Sequence, residues 1–127
     1  MLVSPDAASA AVHTGTIQAD EAQSTVCFVG SISQGLGTIS YDDVTMSFSW
    51  SYTYGDNAPI YDDGELFGGA TETGSHFHGP APPGQPASIV VGTGTGNPNI
   101  GSALINAQQA ADLLADLWFL NIHSTVE

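Results

Sequence analysis

The sequence predicts a mainly β fold, an antiparallel β-sandwich with one short helix, on three observations. The first is "VTMSFSWSYTY" at 44–54, where Val44, Met46, Phe48, Trp50, Tyr52 and Tyr54 share one face and Thr45, Ser47, Ser49, Ser51 and Thr53 the other. Strict period-two alternation marks an antiparallel strand with one buried and one solvated face. The second is a series of short β-type runs broken by turns rich in glycine and proline. The third is a single helical stretch near the end of the chain, which a sandwich accommodates as a crossover.

Taken in order, residues 1–20 read as an N-terminal arm and a possible donor strand, ahead of a sandwich domain over 21–127. Thr25–Ile32 and Gly35–Tyr41 are expected strands, followed by the long alternating run. "GDNAPIYDDGELFGG" at 55–69 is a glycine-rich acidic loop. A strand over about 70–78 carries two histidines into a turn stiffened by Pro80, Pro82 and Pro83. "ASIVVGT" at 87–93 is a short apolar strand, and 94–102 reads as loop. Asn106 is a good helix N-cap, and "AQQAADLLADL" at 107–117 supplies strong helix formers with Leu113, Leu114 and Leu117 on a shared face. "WFLNIHSTV" at 118–126 alternates again, with Trp118, Leu120 and Ile122 on one side and Phe119, Asn121 and His123 on the other.

Composition narrows the function classes. The 127 residues contain no Lys or Arg against 13 Asp plus Glu, a formal net charge of −13. Nucleic-acid backbones are neutralised by Lys and Arg, and anionic membranes attract polybasic segments, so neither partner is expected. No apolar run is long enough for a transmembrane helix, and the N-terminus lacks the basic and apolar regions of a signal peptide. A surface built from Ser, Thr, Gly, Asn and Gln with little charge points to an extracellular or cell-surface protein. The lone Cys27 sits in an apolar run and reads as a buried thiol. No Gly-x-Ser-x-Gly elbow, P-loop lysine or dinucleotide fingerprint is present. No Asn-x-Ser/Thr sequon is present either, which leaves O-linked sugar open.

Two ordered motifs, "GSHFHGPAPPG" and "INAQQAADLLADLWFLNIHS", resemble the CHRD domain, the repeat first recognised in chordin. His76-Phe77-His78-Gly79-Pro80-Ala81 stands where that family has His-Ile-His-Gly-Pro-Ala. Gln108 or Gln109 and Leu113 match its short helix, and Phe119 to Ser124 match its Tyr-Val-Asn-Val-His-Thr strand. The resemblance covers about residues 25–125 and implies an extracytoplasmic sandwich of immunoglobulin-like or superoxide-dismutase-like type, with no particular activity. Family members continue into a further strand where this chain ends at Glu127. An edge left open in that way invites another chain, and the N-terminal arm is the candidate to fill it, giving a filament or surface layer.

Side chains at i and i+2 of a strand share a face, so His76 and His78 point together and Phe77 points into the core. The architecture implied by the resemblance brings His123 to the same place. Three neutral imidazoles are a recurring zinc or copper ligand set, and copper stands higher in the affinity order. His13 is a candidate fourth ligand, in its own site or a neighbour's. The competing reading has these histidines bracing the turn through backbone hydrogen bonds. Asp56, Asn57, Asp62, Asp63 and Glu65 offer oxygen ligands without EF-hand spacing and read as a solvated acidic loop.

The expected function is therefore a self-assembling extracellular structural subunit that binds copper, with zinc as the alternative metal. The alternatives are a dismutase-like copper enzyme, disfavoured because no positive side chain draws an anion, and a metal-free extracellular binding module.

Overall fold

A computed structural model of the chain describes residues 2–4, 12–19, 33–66, 69–81 and 85–125, with the side chains of 2–4 excepted. The elements are β1 (Leu2–Ser4), β2 (Val12–Ala19), β3 (Gln34–Asp42), β4 (Ser47–Gly55), β5 (Glu72–His78), β6 (Ile89–Gly94), β7 (Asn99–Leu104), α1 (Ala107–Leu114) and β8 (Phe119–Ser124). They form two antiparallel sheets, one of five strands in the order β1-β2-β3-β4-β7 and one of three in the order β6-β5-β8. The mainly β architecture with one short helix is the one the sequence predicts.

The core lies between the sheets. β4 supplies Phe48, Trp50, Tyr52 and Tyr54, all buried, while Ser51 on its other face is exposed. Phe77 and Leu120 approach from the smaller sheet. Phe48 meets Phe77 edge-on at a centroid distance of 5.0 Å and 89°, and meets Trp118 at 5.0 Å and 68°. Edge-to-face pairing sets the positive rim of one ring against the negative face of another, adding about 0.5–1.5 kcal/mol beyond area burial.

The alternation is broken at the start of the run. Residues 43–46 form the β3–β4 turn, with Met46 at φ 59°, and the Asp42 carboxylate accepts hydrogen bonds from the Val44 and Thr45 amides. Val44, expected on the buried face, is therefore 75% exposed.

A second correction concerns 94–102. Residues 99–104 form β7, paired along β4 from Tyr52↔Asn99 to Ser47↔Leu104. The inward positions are Asn99, Gly101 and Ala103, small or polar, whereas Ile100 and Leu104 point outward. Trp50 explains the inversion. A Cβ on Gly101 would stand 2.5 Å from Trp50 Cζ2, and the buried Asn99 Oδ1 accepts from Trp50 Nε1 at 2.8 Å.

A third difference concerns the N-terminal segment. Val12–Ala19 pairs with β3 over its full length and β1 pairs with β2, so this part of the expected arm is a strand of the chain's own sheet. The expected strand at 25–32, with Cys27, lies outside the described residues.

The helix forms as its cap predicts and ends earlier, at Leu114. The Asn106 side chain accepts from the Gln109 amide at 2.8 Å and Gln109 Oε1 accepts from the Asn106 amide at 2.9 Å, a reciprocal capping box. Leu113 and Ala110 anchor it on the core, and it carries the chain from β7 in one sheet to β8 in the other.

Two substitutions test these contacts. Gly101→Ala should overpack Trp50 and cost about 1–3 kcal/mol. Asn106→Ala should cost about 1 kcal/mol through loss of the cap. Urea denaturation followed by tryptophan fluorescence reads both, and an unchanged midpoint for Gly101→Ala would contradict the Trp50 packing.

Candidate metal centre

Phe77 is fully buried, so its neighbours on β5 must face away from the core. His76 and His78 therefore share the outer face of the three-stranded sheet. β8 pairs with β5 in the register His78↔Phe119, Phe77↔Leu120, His76↔Asn121 and Gly74↔His123. His123 thus lies one diagonal step from His76 on the same face, opposite a residue with no side chain. Gly92 is the partner of His76 on β6, so no side chain crowds the ring from that strand, while its partner on β8 is Asn121.

The three imidazoles converge. Each offers one nitrogen, and these three atoms lie within 4.8 Å of one another. Ring centroids stand 5.8 Å apart for His76 and His78, 5.2 Å for His76 and His123, and 6.1 Å for His78 and His123. The planes are inclined at 88°, 63° and 58° respectively, so no two rings stack. Donors each ~2 Å from one ion are at most ~4 Å apart, so small side-chain rotations close the set around a metal.

His78 is the best oriented of the three. Its Nδ1 lies 3.0 Å from the Ala87 carbonyl. A carbonyl only accepts, so Nδ1 carries the proton and Nε2 of the neutral ring carries the lone pair. Phe119 stacks on the ring at 5.2 Å and 9°, fixing its plane. Outer partners of this kind set the tautomer and direction of metal-ligating histidines. The braced-turn reading of the histidines is thus correct for one nitrogen of His78. His78 Nε2 and His76 Nδ1 are buried with no hydrogen-bond partner.

Burial, and secondarily the His123 and His78 rings, hold His76 below the ordinary imidazole value. Burial first, then His78, lowers His123. Both effects favour the neutral, ligand-competent ring. Among the described Asp, Glu and Cys side chains none joins the cluster, so the donor set is all imidazole nitrogen, which fits copper or zinc better than calcium or magnesium.

His13 does not join the other three. It stands on β2 opposite Tyr41, with Nε2 3.0 Å from an Asp43 carboxylate oxygen and its ring over Tyr41 at 6.2 Å. The β2–β3 pairing carries it to the 43–46 turn of the larger sheet, so its expected place in this chain's cluster is corrected.

The acidic loop satisfies itself. Asn57 Oδ1 accepts from the Asp62 amide at 2.9 Å, and Asp63 Oδ1 accepts from the Glu65 amide at 3.0 Å. No metal-sized group forms there among the described residues. The expectation of a solvated acidic loop agrees with these side-chain-to-backbone bonds.

A comparison with known families now adds to the geometry. The sequence model of the CHRD domain matches residues 3–127. The chain belongs to the CHRD domain family. No curated protein and no solved structure gives a significant match. In this CHRD domain the His-x-His strand and the Asn-x-His strand are hydrogen-bonded neighbours, which is how their imidazoles meet. The match starts at residue 3, consistent with β2 being part of the sheet. No described helix is long and apolar enough to cross a membrane. Sequence reasoning missed the Ala87 carbonyl and the stacking role of Phe119. The only signal for the latter was that Phe119 shares a strand face with His123.

The lowered His values set a pH dependence. The unfolded chain binds protons at His76 and His123 near pH 6.5 and the folded chain binds them there only at lower pH, so the unfolded state holds more protons in between. Stability of the metal-free CHRD domain is full above about pH 6.5 and is lost as pH falls through the lowered folded values. Urea midpoints of the wild type should drop across that window, and the drop should shrink in His76→Gln/His123→Gln. An equal drop in both would remove the histidines as its cause.

Proposed function

We propose that this CHRD domain is an extracellular binding module that holds a transition-metal ion, copper first and zinc as the alternative, on His76, His78 and His123. The observation that carries the reading is the pair of buried, unpartnered nitrogens, His76 Nδ1 and His78 Nε2, in a cluster whose third member is His123. A buried polar atom without a partner costs about 1–3 kcal/mol, and metal coordination removes that cost for a lone pair. The net charge of −13 with no Lys or Arg concentrates cations around the chain. Copper stands above zinc in affinity for a nitrogen donor set.

The second part of the proposal is self-assembly into a homopolymer, a filament or surface layer, through strand pairing between copies. The eight-residue β2–β3 pairing is made within one chain. Assembly with that pairing intact therefore uses the free edges of the sheets, and only an exchange of β1 and β2 between copies would use the arm as a donor.

Copper-loaded, desalted protein should retain one metal ion per chain by elemental analysis. His76→Ala and His123→Ala should each lose it at least about 100-fold in affinity, comparable to ~2.7 kcal/mol. Excess copper at about 100 times the wild-type Kd should stabilise the wild type by ~2.7 kcal/mol and the variants by no more than ~0.4 kcal/mol. Unchanged metal content in both variants ends the metal reading. His13→Ala should retain copper, and loss there would assign His13 to a site between copies. Superoxide consumption by the copper form would favour the enzyme alternative instead.

A further inference from the structure

We infer that the free edge of β7 is a self-recognition surface, on which a second copy of this chain adds its own β7 antiparallel about a two-fold axis. The inference rests on the self-assembly part of the proposed function, in which this two-fold contact joins copies in pairs and a second edge extends them, and is independent of the metal.

β7 ends the five-stranded sheet, so no described strand is hydrogen-bonded along its other side. Alternation decides which of its residues turn their backbone outward. The Ile105 amide donates to the Met46 carbonyl at 3.0 Å, one step beyond the Ser47↔Leu104 pair. Hydrogen-bonded and non-hydrogen-bonded pairs alternate along an antiparallel ladder. Ala103 and Gly101 therefore bond to β4, and Ile100, Ser102 and Leu104 present their N–H and C=O to the open side. These are also the residues whose side chains point out of the sheet.

Among the described residues the edge carries none of the usual protection. Natural sheets guard their edges with Lys, Pro, inward charges or bulges. Asn99–Leu104 contains no charged residue and no proline, and its pairing with β4 has no register shift. Ile100 and Leu104 are 72% and 78% exposed.

Two features select a second copy as the occupant. The strand is self-complementary: with Ser102 opposite Ser102 of the second copy, Ile100 falls opposite Leu104, and Gly101 opposite Ala103, on both sides of the axis. Cross-strand aliphatic pairs then cover the two exposed side chains, and each outward-facing residue exchanges two hydrogen bonds with its opposite. The second feature is charge. Two copies at −13 each, without one cationic side chain, repel unless their contact avoids carboxylates. β7 has none, and the neighbouring outward positions on β4 are Ser47, Ser49 and Ser51.

The test is sedimentation velocity of the full chain across a range of salt concentrations. A wild-type dimer that grows with salt, as screening removes the mutual repulsion, is expected. Ser102→Pro removes an outward-facing N–H without touching the β4 ladder and should weaken association at least about tenfold, ~1.4 kcal/mol. A Cys27→Ser/Ser102→Cys chain provides a second measurement. Directly opposed residues stand ~5.5 Å apart at Cα, within disulfide range. Mild oxidation should therefore cross-link this chain in high yield, whereas Cys27→Ser/Ser51→Cys should stay uncross-linked. Equal cross-linking in both, or undiminished association in Ser102→Pro, overturns the β7 assignment while leaving self-assembly standing. A wild type that stays monomeric at millimolar concentration and high salt overturns both and leaves the metal reading intact.

Discussion

The register between β5 and β8 is the constraint on which the rest of this structure depends. Phe77 and Leu120 are direct partners and both are buried, at 0% and 3% exposure. Removing large apolar side chains from water is worth about 1.5–3 kcal/mol each, which fixes the inward parity of both strands. His76, His78 and His123 have the opposite parity and are delivered together to the outer face. A slip of one residue would turn the imidazoles inward and the aromatic core outward, so the register cannot drift without unfolding the site.

The cluster is costly to a metal-free fold. Imidazole nitrogens shut away from water lose their hydrogen bonds to solvent, and the fold replaces only some of them, as with His78 Nδ1 at the Ala87 carbonyl. One network of buried polar groups between the sheets is matched closely. Asn99 accepts from Trp50 Nε1 and donates to the Thr93 carbonyl, Thr93 pairs with the Tyr52 hydroxyl, and the Glu72 carboxylate accepts from Ser75 Oγ and the Gly96 amide. Tyr54, pushed up to about 12 by burial and by Glu72, stays neutral beside that carboxylate. His13 Nδ1, Asp116 Oδ1 and Trp118 Nε1 are buried without a partner as well, but only the His76 and His78 nitrogens lie in a cluster of three imidazoles that one ligand would satisfy.

Charge shapes how this molecule meets others. With no cationic side chain, its carboxylates are held by backbone amides and turns, as at Asp42 and Asp63, or by the His13 ring in the case of Asp43. Such local bonds tie acids to their own loops. The uncharged serine and threonine positions lie on the outward faces of the larger sheet, beside the open β7 edge, where backbone pairing rather than ion pairing governs contact.

Wherever bulky side chains alternate with small polar ones, the elements were legible from local pattern: β4 from its aromatic stripe, β5 from Phe77 between two histidines, α1 from the Asn106 cap. That His76 and His78 share a face follows from strand geometry alone, and the family motif pointed to His123. Pattern failed at β7, where Trp50 fills the interior and leaves only Asn99, Gly101 and Ala103 to face it, and at β2, where Ile17 is the one fully buried position. Tertiary pairing decided that His123 reaches the other two, that His13 is held by Asp43 on a different sheet, and that β2 belongs to the domain. The physical reason is that periodicity records which side of a strand is wet, whereas the choice of neighbouring strand comes from burial and backbone pairing summed over the whole chain.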